Sequence, residues 1–362
     1  MLLNRSRILT LSLLSICAFA LVSCGSAPEP EGPVSSMPVG EPIKIEAPLG
    51  LPPVPVPADN PPTANTIALG RRLYFDTKLS IDGSISCASC HRPEAGFADP
   101  DQFSSGVGGK KGGRQAPTVI NTAYFTTQFW DGREPSLEEQ ALGPMANPIE
   151  MAHTLEGVQK ALSEDPSYVA EFEKAFGPGG VTMDRAKKAI ASFERTVLSG
   201  NSPFDRFMYG GEEDTLSESA KRGLKVFRDP AKGNCEVCHS MEEDHALFTD
   251  DKFHNLGVGA NIDGTLADQG RYEVTKNEAD RGAFKTPGLR NIAESGPYMH
   301  DGSLKTLKEV IDFYIGAGNS NEWRDKDLKE LDHLTGQERT DLEEFLKSLT
   351  AEMPASTNAP TG

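Results

Sequence analysis

Two short cysteine–histidine motifs carry the clearest chemistry in this 362-residue chain. Residues 87–91 (CASCH) and 235–239 (CEVCH) share the C-x-x-C-H spacing, which is typical of c-type haem attachment. In that chemistry two thiols form thioethers with the haem vinyl groups, and the histidine supplies a nitrogen ligand to the iron. A redox dithiol or half of a zinc site would also use C-x-x-C, but two motifs that each end in histidine favour haem. The sequence therefore predicts two covalently bound haem c groups, held by Cys87, Cys90, His91, Cys235, Cys238 and His239.

The first 24 residues have the pattern of a bacterial lipoprotein signal peptide. Arg5 and Arg7 precede an apolar run over residues 8–22, which is shorter than the roughly 20 residues that a membrane span needs. The run ends in the letters LVSC, which resemble a lipobox whose cysteine, here Cys24, is acylated. We therefore expect residues 1–24 to direct export, and Cys24 to hold a periplasmic protein on a bacterial membrane by lipid alone. The alternative is an ordinary export signal with an incidental cysteine.

The rest of the chain divides by composition. Residues 25–62 are rich in proline, which favours an extended chain with little to bury, so we predict a disordered tether there. Residues 63–212 and 213–350 are each long enough for a domain, and we assign one haem motif to each. Residues 351–362 are small and polar, and they are predicted to form a disordered tail.

Helix signals dominate both halves, and no alternating apolar pattern competes with them. Polar N-cap residues precede apolar residues at helical spacing, with predicted starts at Asn65 or Thr66, Thr182, Ser217, Thr306 and Thr335. Gly200 is predicted to end the helix that begins at Thr182. The expected fold is mainly α, with two cytochrome c-like helical domains in tandem that each carry one covalent haem c.

The two halves also repeat each other at a constant offset of 170 positions. Identities at one spacing over a continuous stretch favour an internal duplication over coincidence. The identical pairs are Pro117 with Pro287, Asn121 with Asn291, Ala123 with Ala293, Asp131 with Asp301, Gly132 with Gly302, Leu137 with Leu307, and Glu139 with Glu309.

Differences between the two copies indicate unequal haem sites. Tyr314 lies on the apolar face of the helix that begins at Thr306, and its counterpart in the first half is Pro144. A phenol oxygen can bind ferric iron, whereas a proline side chain has no ligand atom. We therefore expect a six-coordinate second haem and an open distal position at the first, where Trp130 stands opposite His300. From the residues alone, small-molecule chemistry and plain electron transfer remain equal alternatives.

Met299 competes with Tyr314 for the second iron. It lies 60 residues after His239, an ordinary distance for the axial methionine of a small cytochrome. The repeat places Met299 opposite Phe129, which cannot ligate iron, and this comparison favours Tyr314. His254 could approach a haem propionate, although a surface histidine is the simpler interpretation.

Longer strings then become recognisable in both halves. They are APT (116–118), QFWDGR (128–133), EQA (139–141), GP (143–144) and EM (150–151) in the first half, and TP (286–287), LRN (289–291) and PYMHDG (297–302) in the second. These strings resemble the bacterial di-haem cytochrome c peroxidase family, which includes MauG. The resemblance covers nearly everything from Gly70 to Leu349.

The resemblance implies roles for individual residues. In the family the N-terminal haem reacts with peroxide, so Gln140, Pro144 and Glu150 would lie in its distal pocket, with Glu150 moving a proton. Trp130 would pass electrons between the haems. A calcium ion would lie between the domains, and a homodimer is usual. The positions that match the calcium ligands are Gln115, Ser295 and Pro297.

Two departures from the better-known peroxidases point toward MauG. The loop at residues 104–114 contains no histidine, although those peroxidases carry one there that plugs the N-terminal haem until the other is reduced. Tyr314 also stands where they have a ligating methionine. Against a MauG-like function, the chain has only Trp130 and Trp323, and neither is near residues 201–210, where a second tryptophan would pass holes to a protein substrate.

The predicted function is the reduction of hydrogen peroxide to water, with electrons from a small cytochrome or cupredoxin that arrive through the C-terminal haem. The alternatives are a MauG-like oxidase that modifies a protein through a ferryl state, and a non-enzymatic di-haem electron carrier. The formal net charge of −17 argues against nucleic acid as a partner. It favours a basic electron donor.

Overall fold

The computed structural model describes residues 34–360. The predicted signal peptide, its Cys24 and the first part of the predicted tether lie outside these residues. The described chain is mainly helical and contains one pair of two-residue strands. None of the described helices is both long enough and apolar enough to cross a membrane.

The elements follow one another in a helix-and-loop pattern. The helices are α1 (Ala64–Phe75), α2 (Cys87–Cys90), α3 (Leu137–Gln140), α4 (Gly143–Ala146), α5 (Leu155–Ser163), α6 (Pro166–Phe176), α7 (Met183–Glu194), α8 (Pro203–Met208), α9 (Glu218–Arg228), α10 (Tyr272–Thr275), α11 (Leu307–Ile315) and α12 (Gly336–Lys347). The strands β1 (Phe253–His254) and β2 (Phe284–Lys285) pair antiparallel.

Four of the predicted helix starts are confirmed by their caps. The side-chain oxygens of Thr182, Ser217, Thr306 and Thr335 each accept the backbone N–H three residues later. Such a bond satisfies one of the donors that the first helical turn leaves free. At Thr306 and Thr335 a glutamate three residues on completes a capping box.

Two helix ends differ from the prediction. Helix α1 begins directly after its cap Thr63, slightly before the predicted start. Helix α7 ends at Glu194 and does not reach Gly200, because the amide and the hydroxyl of Thr196 both donate to the carbonyl of Phe193 and close the last turn. Helices α5, α6 and α8 and the four-residue helices α2, α3, α4 and α10 were not predicted.

Each half contains one close helix crossing. In the first, α1 crosses α7 at Gly70, where an added Cβ would lie 1.8 Å from the carbonyl oxygen of Ala189. In the second, α9 crosses α12 at Gly223, where an added Cβ would lie 1.9 Å from the carbonyl oxygen of Asp341. Both crossings therefore require glycine. The next contacts of the two added atoms are with Phe193 and Phe345 respectively.

Two large apolar cores lie on the two sides of this arrangement. The first is formed by α1 and α4–α7, and the second by α8, α9, α11 and α12. Phe204 of α8 packs against Phe248 and Phe345, with ring centroids 5.2 and 5.7 Å away. Because these aromatic contacts hold α8 in the second core, the division between the cores lies before α8 and not at the predicted boundary of residues 212–213.

The repeated segments share backbone conformation as well as sequence. Asn121 and Asn291 are both left-handed, with φ of 62° and 54°. At the same offset, Phe129 and Met299 have φ of 69° and 71°. Two matching β-bridges enclose these turns, Gln128 with Glu134 and Tyr298 with Leu304.

The prediction of a disordered tether is wrong for residues 35–62, which pack against the rest of the chain as an N-terminal strap. The side chain of Arg185 donates to the carbonyl of Ser35 at 2.6 and 2.9 Å, and Arg290 donates to that of Gly50 at 2.7 Å. Asn60 is completely buried. An extended proline-rich chain makes few internal hydrogen bonds, so its carbonyls are free to accept from buried arginines.

The predicted disordered tail is also corrected, for residues 351–360. Arg71 on α1 donates to the carbonyls of Asn358 and Ala359 at 2.6 and 3.0 Å. Thr357 is completely buried, and Met353 packs on a small aromatic cluster of the first half. Polar composition did not reveal these contacts because their partners lie far away in sequence.

Candidate functional site

The first C-x-x-C-H motif forms a single helical turn, α2, followed by His91. Ser86 and Ser89 cap this turn reciprocally. The His91 Nδ1 lies 2.9 Å from the carbonyl oxygen of Pro117. A carbonyl can only accept, so Nδ1 carries the hydrogen and Nε2 keeps its lone pair. Burial lowers the pKa of His91, which favours this neutral form.

The second motif has the same arrangement. Cys235–Val237 form a 3₁₀ turn, and the Nδ1 of His239 lies 2.9 Å from the carbonyl oxygen of Phe248. Burial lowers the pKa of His239 as well. A backbone carbonyl that fixes one ring nitrogen orients the other as a metal ligand. Within residues 34–360, the Nε2 atoms of His91 and His239 make no hydrogen bond.

The four motif thiols fit thioether attachment better than the other uses of C-x-x-C. None of them is in a disulfide. Burial raises the pKa of Cys87, Cys90 and Cys235, so none is the stabilised thiolate that a redox dithiol needs. The described residues contain one cluster of three side chains that could bind a metal, and Cys238 is the only motif cysteine in it. The two motifs therefore do not form a shared zinc site.

An apolar crevice opens beside the second motif. It is lined by residues that include Trp130, Cys235, Cys238, His239, Leu256, Phe284, Leu289, Leu307, Val310, Ile311, Leu342 and Leu346. Two cysteines and a histidine on the wall of an apolar cleft are what a covalent haem c requires. The residues of this half therefore fit the group that the motif predicts.

Both candidate distal ligands reach this second crevice. Tyr314 of α11 and Met299 line it together. Burial, followed by the nearby thiols Cys235 and Cys238, raises the pKa of Tyr314. Its hydroxyl forms no hydrogen bond within residues 34–360, so the oxygen is available as a ligand. The geometry brings the two residues to one cavity and leaves the choice between them open.

The first motif has a carboxyl group for a neighbour. Glu150 is half-buried, and burial raises its pKa against the effects of Asn147 and Arg133. The Asn147 Nδ2 donates to the Glu150 Oε1 at 2.6 Å. After burial, which is the largest cause, a negative charge on Glu150 contributes to raising the pKa of both Cys87 and Cys90, so the carboxyl lies within electrostatic range of the motif.

The other predicted residues of the distal pocket lie in the two helices before Glu150. Gln140 ends α3, and Pro144 lies at the start of α4, where its carbonyl accepts the amide of Met151 at 3.2 Å. Both are half-buried. The side-chain amide of Gln140 forms no hydrogen bond within the described chain. His153 is half-buried, and its Nδ1 accepts the amide of Thr154 at 2.9 Å.

The histidine-free loop at residues 104–114 packs directly on this segment. The amide of Val107 donates to the Glu150 carbonyl at 2.8 Å. Gly106 allows this approach, because an added Cβ would lie 2.0 Å from the Ile149 carbonyl oxygen. The loop therefore covers the backbone of Glu150.

Trp130 belongs to the first half in sequence, but it lines the second crevice. Its Nε1 donates to the Gln115 carbonyl at 2.8 Å, and its own carbonyl accepts the Lys285 amide of β2 at 2.8 Å. Arg114, next to Gln115, binds Asp268 in the second half through two nitrogens at 2.7 and 2.8 Å. These bonds hold the indole at the junction of the two halves.

The three residues predicted to bind calcium lie on the wall of one cavity. Gln115, Ser295 and Pro297 all line the second crevice. The Gln115 Nε2 donates to the carbonyl of Asp99 at 3.1 Å, which leaves Oε1 without a hydrogen bond to the described residues. The carbonyls of Ser295 and Pro297 accept none from them either. Three free oxygens suit a hard cation.

Near the motifs, sequence reasoning misjudged the surroundings of His254 and missed Glu194. His254 is bonded to the carboxylates of Asp250 and Asp325, and it approaches Cys238. It is therefore not a simple surface histidine, and the four-residue spacing of Asp250 and His254 was the available signal. Glu194 lies fully buried in α7 near Cys87, and burial raises its pKa to about 8.

Comparison with known proteins identifies the family to which the chain belongs. The sequence model of the di-haem cytochrome c peroxidase family matches residues 64–213. The methylamine utilization protein MauG of Methylophilus methylotrophus is 38% identical over 298 residues, which are 82% of this chain and 85% of that protein. The cytochrome c551 peroxidase of Nitrosomonas europaea is 35% identical over 348 residues, 96% of this chain and 93% of that protein.

A solved structure supports the same relationship. The crystal structure of a MauG-like protein associated with microbial copper homeostasis superposes with a TM-score of 0.78 at 33% identity, covering 87% of this chain and 97% of that one. Relatives named for peroxidases and relatives named MauG match about equally well. The chain belongs to the di-haem cytochrome c peroxidase family, a family of haem peroxidases.

Proposed function

We propose that this protein reduces hydrogen peroxide to two water molecules, using two electrons and two protons. The electrons would come from a small periplasmic cytochrome or cupredoxin and would arrive through a haem held at the second motif. The observation that carries the proposal is the half-buried carboxyl of Glu150 beside the first motif. A bound haem iron supplies the site at which peroxide is held and reduced.

Glu150 is suited to the proton transfer that peroxide cleavage needs. The O–O bond breaks most easily when a proton moves from the near oxygen to the far one, which then leaves as water. A carboxyl whose pKa is raised by burial can both accept and return that proton. Asn147 holds one Glu150 oxygen, and the other remains available. Gln140 would orient the peroxide, and Pro144 would leave the position above the iron open.

Trp130 would carry electrons between the halves. It lines the second crevice, while its chain segment continues into α3, which carries Gln140. The bonds from its Nε1 to Gln115 and from the Lys285 amide to its carbonyl fix the ring in place. A fixed aromatic side chain needs little rearrangement when it gains or loses an electron.

Tyr314 would be the distal ligand of the second iron. It lines that crevice with an oxygen that no described group binds. An anionic oxygen ligand favours the ferric state over the ferrous state. Met299 is the other candidate, since it lines the same crevice.

Three further assignments complete the proposal. Calcium would be bound by the Gln115 side-chain oxygen with the carbonyls of Ser295 and Pro297, and calcium titration of chelator-treated protein, with Gln115→Ala as comparison, tests this. The protein would be periplasmic and held on the membrane by a lipid at Cys24. Metabolic labelling with a fatty acid, with Cys24→Ser as control, tests the anchor.

A MauG-like oxidation of a protein substrate is the second candidate. Tyr314 in the second crevice and the absence of histidine from residues 104–114 favour it. The same two electrons would then be taken from side chains of a partner protein. A non-enzymatic carrier remains the third alternative, and it needs neither Glu150 nor an open first iron.

A steady-state assay with peroxide and a reduced small cytochrome separates the three. The proposal expects peroxide-dependent oxidation of two cytochrome molecules per peroxide. A MauG-like oxidase would consume peroxide only when a protein substrate is present, and a carrier would consume none. Failure to oxidise either a reduced cytochrome or a reduced cupredoxin with peroxide, in protein that carries two haems, would contradict the proposal.

A further inference from the structure

A histidine held between two carboxylates lies beside the second C-x-x-C-H motif, and the peroxide chemistry above does not use it. The Nε2 of His254 is 2.9 Å from the Asp250 Oδ2, and its Nδ1 is hydrogen-bonded to an Asp325 carboxylate oxygen. The ligand atoms of Cys238, Asp250 and His254 lie within 4.8 Å of one another. The His254 cluster, defined as His254, Asp250 and Asp325, is therefore next to a cysteine that would attach the second haem.

The bonding pattern fixes the charge of this cluster. A carboxylate only accepts hydrogen bonds, so each ring nitrogen of His254 must carry a hydrogen, and the ring is an imidazolium. The hydrogen bonds that His254 donates to the Cys238 sulfur first, and then to Asp325 and Asp250, raise its pKa. A haem thioether at Cys238 is neutral, which leaves the two carboxylates as partners. The cluster then carries one positive and two negative charges.

The cluster is shielded enough for these charges to act on their surroundings. The side chains of His254, Asp250 and Asp325 are 17%, 11% and 21% exposed. Charges in such positions are screened less than charges at the surface. The neighbouring Lys285 and Asp251 form an ion pair that balances itself.

The cluster also connects the haem motif to the loop between α11 and α12. Asp325 lies in that loop, and its amide donates to the carbonyl of Asn255 at 2.9 Å. The side chain of Asn321 in the same loop donates to the Asn255 Oδ1 at 3.0 Å. Helix α11 carries Tyr314, so one network holds His254 and the segment that follows the proposed iron ligand.

We propose that the His254 cluster sets the reduction potential of the second haem, with His254 as the positioning residue and the two aspartates as its counter-charges. The inference rests on the proposed haem attachment at Cys235 and Cys238. Reduction adds one electron at the iron, so a negative charge nearby disfavours it and a positive charge favours it. The potential should therefore follow the net charge of the cluster.

Redox titration of the haem spectra in two variants tests this by sign. His254→Gln leaves two uncompensated carboxylates, and it should lower the ferrous-to-ferric ratio of the second haem roughly tenfold at a given applied potential, or about 59 mV for one electron. Asp325→Asn leaves a balanced pair, and it should raise the ratio by a similar factor. Damage to the haem pocket alone would move both variants in the same direction.

The surface pair Asp332 and His333 supplies matched controls, because its side chains are 79% and 48% exposed in the same half. Asp332→Asn makes the same charge change as Asp325→Asn, and His333→Gln makes the same side-chain replacement as His254→Gln; both should leave the potential unchanged. Shifts of equal sign in the two cluster variants, or no shift in either, would overturn the proposal. If His254→Gln does not fold, Asp250→Asn takes its place. It should raise the potential of the second haem as Asp325→Asn does, and an unshifted potential in both aspartate variants would overturn the proposal. Intact mass separates this failure from a missing second haem, which would instead contradict the attachment.

Discussion

The two C-x-x-C-H motifs are held by the same framework of helices, but the side chains around them differ in polarity. Phe193 in the α1–α7 crossing and Phe345 in the α9–α12 crossing occupy matching positions. The residues that follow them, Glu194 in the first half and Leu346 in the second, are therefore equivalent as well. The repeat also pairs Gln140 with Val310. Leu346 and Val310 both line the second crevice. Where the second half is apolar, the first half has groups that bind or move protons.

Under the proposed function, this difference would divide one reaction between the two halves. A Tyr or Met ligand in the apolar crevice of the second half would leave iron no site for a small molecule, which suits electron transfer. A half-buried carboxyl and a proline at the matching positions of the first half would suit proton transfer to a bound oxidant. Residues that differ between the two repeated halves therefore indicate function. Residues that are identical in both halves indicate which contacts stabilise the fold.

The strongest way to separate the two halves is to remove one attachment site at a time. Replacing Cys87 and Cys90 with Ala should remove one haem and abolish peroxide turnover. Replacing Cys235 and Cys238 should also remove one haem, but the remaining first haem should still react with peroxide. Intact mass and haem staining count the haems. Any variant that keeps two haems would contradict the assignment of the motifs.

Glu150→Gln should slow the reaction with peroxide by a factor on the order of 10²–10⁴, because the proton carrier is lost while the shape is kept. Rapid mixing with peroxide, followed by the haem spectrum, measures this rate. Glu156→Gln is the matched control, since Glu156 is an exposed glutamate of the same half. Equal rates in the Glu150 variant and the control would remove Glu150 from the mechanism.

The N-terminal caps show which parts of the fold sequence can predict. Thr182, Ser217, Thr306 and Thr335 were found because a cap is decided by a residue and its neighbours within one turn. Residues 35–62 were misjudged because their order depends on Arg185 and other partners far away in the chain. The composition of a segment indicates how much apolar surface it could bury by itself. It does not indicate which hydrogen-bond donors other parts of the chain will provide.

The same limit applied to the candidate sites. The C-x-x-C-H motifs are contiguous, so their ligands could be predicted residue by residue. The partners of His254 could not, because Asp325 reaches it from 71 positions away. Glu194 was hidden for another reason: a charged residue on a helix is usually exposed, and only the packing of α7 reveals that this one is buried.

The variants Tyr314→Phe and Met299→Leu distinguish the two candidate ligands of the second iron. If Tyr314 is the ligand, its variant should change the low-spin ferric spectrum of that haem, and Met299→Leu should leave it intact. Ferric optical and paramagnetic resonance spectra record this. The near-infrared band expected for His/Met iron would point to Met299 if it survived in Tyr314→Phe and vanished in Met299→Leu.

Glu194→Gln should change how stability depends on pH. Burial raises the pKa of Glu194 from 4.5 to about 8, so between these values the folded state holds a proton that the unfolded state has released. The free energy of unfolding should therefore fall as pH rises through this window, by about 1.4 kcal/mol per pH unit from this group. Chemical denaturation from pH 5 to 8 should show a flatter profile in the variant than in the exposed control Glu173→Gln. Parallel profiles in the two variants would count against a buried acid in the first half.

The most direct test of two unequal haem sites is to mix the fully oxidised protein with peroxide in the absence of any reductant. We expect one high-spin and one low-spin ferric haem at rest, and an immediate change of the high-spin spectrum on mixing. Two low-spin haems and no reaction until one is reduced would contradict this expectation. In that case a side chain closes the first iron as well, and His153, three residues after Glu150, is the first to examine.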